Sequence, residues 1–311
     1  MRRQRIRRRR ALALALVPAA VISMGWGQAS PAAEQTKATV DAPASVRIGD
    51  ATTLKGEFPD AANAEVAILN RSAGENGYRR VGTAQTGAGG AWSARVKPRR
   101  TGDWRARLVA PPTGDQLAGA PAPDPESDSE LIRVRSVTKV VPSKRDVVAG
   151  KEVEVRGQIA PAGQRDVLVE IGGQTKRTRA DKNGRFEVDW KAPGAGKFNV
   201  RATAKRNKYA SGSKDSGGHV TAYRYALASW YGPGLYGNRT ACGQTLSPST
   251  RGVAHKSLPC GTRLSIRHGS NEVHVQVIDR GPYVGNREFD LTEATKNDLG
   301  FGSTGQILVS R

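Results

Sequence analysis

Two stretches of this chain carry one pattern, and that pattern permits few folds. The first reads SVRIGDATTLKGEF, AEVAILN and GAGGAWSARVKPRRTGDWRARL; the second reads DVVAGKEVEVRGQI, DVLVEIGG and DKNGRFEVDWKAPGAGKFNVRA. Gly56 aligns with Gly157, Gly90-Ala-Trp92 with Gly184-Arg-Phe186, and Gly102-Asp-Trp104 with Gly196-Lys-Phe198. Short runs of alternating apolar and polar residues, broken by Gly, Asn or Asp, are the signature of antiparallel sandwich strands. The pattern predicts two immunoglobulin-like β-sandwiches, over residues 37–135 and 136–221. DKNGRF predicts a hairpin, because Asn-Gly accepts the positive φ of a tight turn. Residues 110–129, polar and Pro-rich, read as a long loop of the first sandwich or as a linker. Neither sandwich gathers a catalytic constellation. Their simplest role is that of spacers or weak binders, with a lectin-like role as the alternative.

The N-terminus fixes the compartment. MRRQRIRRRR holds seven arginines and no acid, ALALALVPAAVISMGW is apolar, and small residues follow. A basic region, an apolar region and a small-residue exit make a secretory signal peptide over residues 1–33. The apolar run falls short of the ~20 residues that span a bilayer, so no stable membrane span is expected once the signal is removed. No cysteine lies near the exit, which argues against a lipoprotein anchor. Removing those seven arginines takes the formal charge from +21 to +14. Nucleic acid is the reflex partner of so basic a chain, but export excludes it. The polyanions outside a bacterial cell are anionic wall polymers, acidic glycans and lipid head groups. Solvated arginine-rich faces are the plainer reading of the same charge.

Only two cysteines exist, Cys242 and Cys260. In an exported chain an isolated pair reads as one disulfide. Its loop of about 18 residues contributes about 3 kcal/mol in the chain-entropy model. No CxxC or HxxxH spacing supports a zinc site, and neither metal nor cofactor is expected.

From Tyr223 onward the pattern changes. YALASWYG, TRLSIRHGSNEVHVQVID and TGQILVSR read as strands, with TRLSI and EVHVQVI paired through RHGSN. LTEATKNDLG is the one good short helix, with Asp290 or Thr292 able to cap its start and Gly300 its end. A region of this size with about six strands and one helix suits a small closed barrel, over 223–311. One strand ends in HVQVIDRGPY, which delivers the Asp279 carboxylate to the mouth of a Gly-Pro turn. Asp in such a place is a turn former or a placed acid. Asp290 is a helix cap or a second acid.

The combination ASWYGPGLYGNRTACGQTL, VAHKSLPCGTRLSI and VHVQVIDRGPYVGNREFDLTEATKNDLGF resembles the rare lipoprotein A family. The resemblance covers most of residues 225–311 and none of the first two-thirds. It implies a six-stranded double-psi β-barrel with one short helix, and with the sandwiches a mainly β fold. It further implies an exported protein of the cell wall. The expected function is lytic transglycosylase action on peptidoglycan glycan strands. The implied catalytic residues are Asp279 as acid/base, His255 as its helper and Asp290 as second choice, by similarity to expansins. Gln244 stands where the family's transglycosylases carry an acid, and Cys242 replaces the motif's Ser. Cys260 falls where a partner for it is needed, so a disulfide would tie the Gln244 loop to the His255 loop. Gln244, Arg280, Tyr283, Tyr231 and Tyr236 are the candidate substrate-binding residues, Arg280 for a carboxylate and the tyrosines for stacking on sugar rings. The alternatives are a non-catalytic, expansin-like wall-binding or wall-loosening module, and a barrel that docks to another wall enzyme.

Overall fold

The computed structural model describes residues 37–109 and 125–311. The expected signal peptide and most of the Pro-rich stretch lie outside the described residues. Among the described residues the chain is almost all β, with one short helix and three hydrophobic cores.

The first sandwich uses β1 (Ser45–Arg47), β2 (Thr52–Glu57), β3 (Glu65–Ser72), β4 (Arg79–Gln85), β5 (Ala91–Val96), β6 (Gly102–Leu108) and β7 (Glu130–Arg135). Five of them form one sheet in the order β1-β7-β6-β3-β4, and β2 pairs with β5 in the other. Leu54, Ile68, Trp92 and Trp104 fill the space between. The end of the Pro-rich stretch returns to the strand it left: Leu108 donates to the carbonyl of Pro125 and Ser127 to that of Ala106.

The second sandwich uses β8 (Val137–Pro142), β9 (Asp146–Val148), β10 (Glu152–Ala160), β11 (Asp166–Ile171), β12 (Gln174–Arg179), β13 (Arg185–Lys191), β14 (Gly196–Ala204) and β15 (Ser213–Tyr231). Its sheets run β13-β10-β8 and β12-β11-β14-β15, with β9 also on β15. One expectation needs correcting. DKNGRF is a tight turn, but β12 and β13 on either side of it belong to opposite sheets. The Asp181 carboxylate accepts the N–H groups of Asn183 and Arg185, and this local cap serves a crossing as well as a hairpin.

The repeat has a packing cause. Gly56 lies directly across from Trp92, and Gly157 from Phe186. A Cβ on Gly56 would lie 2.1 Å from the carbonyl oxygen of Thr39, and one on Gly157 2.1 Å from the Phe186 ring. Each ring lies across its glycine and buries itself. Gly90 and Gly184, which open the aromatic strands, both adopt positive φ.

The barrel adds β16 (Val253–His255), β17 (Arg263–His268), β18 (Asn271–Asp279), β19 (Phe289–Thr292), α1 (Glu293–Asp298) and β20 (Gly305–Ser310). Pairing runs β15-β19-β16-β18-β17-β20 and returns to β15, so the ring closes with six strands. Thr292, not Asp290, caps α1, accepting from the N–H of Thr295. Ala228, Val253, Val277, Phe289 and Leu291 are inside.

The strand β15 belongs to both bodies. Ser213 to Ala222 pair with β14 of the sandwich, and Arg224 to Tyr231 pair with β20 or β19 of the barrel. The expected change of domain at residues 221–223 thus falls inside an unbroken strand of 19 residues. Side chains brace the passage. The buried Tyr223 donates to Glu272 at 2.6 Å, and Arg267 pairs with Asp146 at 3.0 Å.

Gly56→Ala and Gly157→Ala are each expected to cost about 2 kcal/mol or more, because backbone and ring must both give way. Urea denaturation of the single variants measures this; a loss within error at either site would refute the close-packing account of the repeat.

Candidate active site

Alternation along β18 places Val275 and Val277 in the core. Strict alternation would send Asp279 there too. It does not, because β18 carries an extra residue opposite β16: Val253 pairs with Val277, but Ala254 pairs with Asp279. Ile278 is the inserted residue. Such a bulge re-aims the side chain that follows it, and here it turns Asp279 to the outer face. Ile278 itself packs where a Cβ on Gly252 would lie, 2.5 Å from its Cδ1.

The same cross-strand row then continues through Ala254 to Asp290 on β19 and Ser229 on β15. Two strand spacings separate the backbones of Asp279 and Asp290, about 10 Å. Both carboxylates stand on the outer face, and the charge of Asp279 reaches Asp290.

Their surroundings differ. Asp279 Oδ1 accepts the N–H groups of Ala241 and Arg280, each at 2.8 Å. Those bonds fix one oxygen against the loop that carries Cys242. Asp290 Oδ1 accepts the Ser229 hydroxyl at 2.6 Å. Burial raises the Asp290 pKa from its ordinary value, against the opposing pulls of Ser229 and Arg287; the Asp279 charge adds to the rise. Tyr231 follows Ser229 on the same face. Its hydroxyl is buried and meets no partner at hydrogen-bonding geometry. Burial first, then the charge of Asp279, raises the phenol far above its ordinary range.

His255 is placed elsewhere. It is buried, its Nδ1 accepts from the N–H groups of Ser257 and Leu258, and its ring packs on Phe289. Its Nε2 lies 3.5 Å from Glu288 Oε1. Two hydrogen bonds from Arg224 hold Glu288 and lower its pKa, while burial opposes them. The ring of His255 therefore shapes the loop after β16 and is not paired with Asp279. Arg280 is also engaged. Its Nη1 donates to the carbonyls of Leu258 and His255, and its Nη2 approaches Cys260 Sγ at 3.3 Å.

The disulfide Cys242–Cys260 is formed. It ties the turn carrying Ala241 to the loop that Arg280 braces. Gln244 is exposed on that turn, whose backbone closes by Thr240 N–H to the Gln244 carbonyl at 2.7 Å. The Tyr236 hydroxyl binds Glu293 at the start of α1, and this bond raises its pKa to about 12. Tyr283 stands free just past the turn, 75% exposed, beside Val284. Ser229, Glu288 and the Ala241 N–H were not singled out from the sequence. Ser229 sits inside ASWYG, and strand alternation from Tyr231 was the available signal. Glu288 and the Ala241 N–H reach the site only through tertiary contacts. Among the described residues no cluster of His, Cys, Asp and Glu could hold a metal.

Residues 225–310 match the family model described as lytic transglycolase. The C-terminal barrel is similar to the rare lipoprotein A family. The chain is 37% identical over 94 residues to the probable endolytic peptidoglycan transglycosylase RlpA of Synechocystis sp., covering 29% of each chain. It is 40% identical over 81 residues to the endolytic peptidoglycan transglycosylase RlpA of Campylobacter jejuni, covering 25% of this chain and 30% of that one. The Pseudomonas aeruginosa protein of the same name is 39% identical over 91 residues, covering 28% and 27%. The chain thus spans less than a third of the length of these curated relatives. Among solved structures the D0-D1 domain of Intimin aligns at 16% identity over 60% of this chain and 97% of that one, with a TM-score of 0.25, and nothing is argued from it.

Two measurements check the site. Ser229→Ala is expected to move the Asp290 titration further upward, since the lost hydroxyl bond favours the charged carboxylate; carbon NMR of the carboxyl reads it, and a downward move would contradict the geometry. Replacing both cysteines by serine is expected to cost about 3 kcal/mol and to abolish hydrogen-exchange protection at the Ala241 amide. Protection that survives would mean the disulfide does not hold the Asp279 loop.

Proposed function

We propose that this chain is an exported cell-wall protein whose barrel cleaves the MurNAc–GlcNAc bond of peptidoglycan glycan strands as a lytic transglycosylase. The observation that carries the reading is the outward row Asp279–Ala254–Asp290–Ser229, two carboxylates on one face held in unlike environments. The names of the curated relatives support it. Export rests on the N-terminal segment read above.

Cleavage without water needs one proton delivered and one removed. Groups whose environments push their pKa values apart divide such work. Asp290, with its raised pKa, holds the proton and gives it to the glycosidic oxygen. The bond from MurNAc C1 to that oxygen breaks, and its electron pair leaves with the oxygen. The C6 hydroxyl of the same MurNAc closes on C1, and its proton passes to the Asp279 carboxylate. Exchange with solvent then restores both acids. The sequence reading gave both steps to Asp279; the unlike hydrogen-bond partners of the two carboxylates favour the division.

The remaining residues position these two. Two N–H donors aim Asp279 through the disulfide-tied turn, and His255 and Arg280 shape the loop beside it. Tyr283 offers a free ring for a sugar face, Tyr231 borders both acids, and Gln244 offers amide hydrogen bonds along the same turn.

Purified protein incubated with wall sacculi is expected to release anhydro-muropeptides, read by mass spectrometry. Asp279→Asn and Asp290→Asn should each lower the rate by about 100-fold or more. The rate should fall as pH rises through the Asp290 pKa, because the acid is then discharged, and Ser229→Ala should shift that fall to higher pH. Reducing-end products would mean hydrolysis. Sedimentation with sacculi and no new ends would mean a wall-binding module. Full activity in Asp290→Asn would return both steps to Asp279.

A further inference from the structure

The first sandwich carries a cavity of about 690 Å³ on its open side, where β4 and β5 are the edge strands of opposite sheets. We propose that this cleft binds an anionic, hydroxyl-rich chain polymer, either a polyol linked by phosphodiesters or a glycan bearing carboxylates. The proposal concerns a site remote from the barrel's acids and holds whatever those acids do.

Three observations support it. The volume falls in the range of small-ligand sites, about 300–1,000 Å³. Val81, Ala94 and Val96 line it with accessible apolar surface, of the kind on which a sugar or polyol backbone lies.

The rim sets the charge of the ligand. Arg79, Arg95, Lys97, Arg99 and Arg100 line the cleft against one acid, Glu75. Glu75 pairs with Arg79, and Arg100 lies over the Tyr209 ring. Arg95, Lys97 and Arg99 are exposed and have no acidic partner among the described residues. Cations on edge strands also discourage strand-to-strand association, but that service needs no cavity. The cleft on the second sandwich is a weaker candidate. Asp181 and Glu187 line it, and its Arg156 is paired with Glu154.

Calorimetry on the full chain with a glycerol phosphate oligomer and, separately, an oligogalacturonate tells the two sources of charge apart; binding of either supports the site. Arg95→Gln, Lys97→Gln and Arg99→Gln combined should weaken it by about tenfold or more, and the native affinity should fall steeply with salt. Removing the same charge from the second sandwich, with Arg177→Gln, Arg179→Gln and Lys182→Gln, should change affinity by less than about twofold. Circular dichroism confirms that both triple variants are folded. The proposal is overturned if neither polyanion binds, if both triple variants lose affinity equally, or if a neutral chitooligosaccharide binds as tightly.

Discussion

One strand holds the molecule together. β15 leaves the second sandwich and enters the barrel without a break, and each half satisfies its backbone in a different sheet. Backbone hydrogen bonds of that kind are lost only when a sheet comes apart. Tyr223 and Arg267 brace the passage by bonding across it to Glu272 and Asp146. The barrel is therefore fixed in direction by the sandwich that precedes it. The site also depends on this strand, because Ser229 and Tyr231 lie on its far end.

The carboxylates owe their positions to backbone irregularity more than to the residues themselves. Without the bulge at Ile278, Asp279 would face Val253 and the core, and its charge would have to be neutralised or the strand would not form. With it, Asp279 joins Ala254 and Asp290 in one row. Gly252 makes room for the displaced Ile278 side chain, and the same glycine donates its N–H to Thr295 beneath α1. Sheet, bulge and helix cap are thus one packing problem with one solution.

Around that row the loops are knotted by polar contacts that leave little freedom. The disulfide brings the Ala241 turn to the Cys260 loop, Arg280 spans the same loop, and His255 gathers its N–H groups. The Gln244 side chain projects from this frame with no hydrogen-bond partner among the described residues. An amide donates and accepts hydrogen bonds but does not ionise, so under the proposed function the second carboxyl is that of Asp290, from another strand.

The sequence by itself determined the β architecture, the sandwich repeat, the closing barrel, the single helix and the cysteine pair. Alternation, turn glycines and capping residues are local, so they can be read in one dimension. It also singled out Asp279 and Asp290 as acids. It did not determine their partners, because cross-strand neighbours decide those, and Ser229 lies 61 residues from Asp290 along the chain. His255 read as a partner of Asp279 for the same reason: the motif gave its type, while the ring's direction depended on Glu288 and Phe289. DKNGRF read as a hairpin because the turn is local and the choice of sheet is not. Only tertiary structure decides which face a side chain takes once a strand is bulged, and which partners each carboxylate meets there.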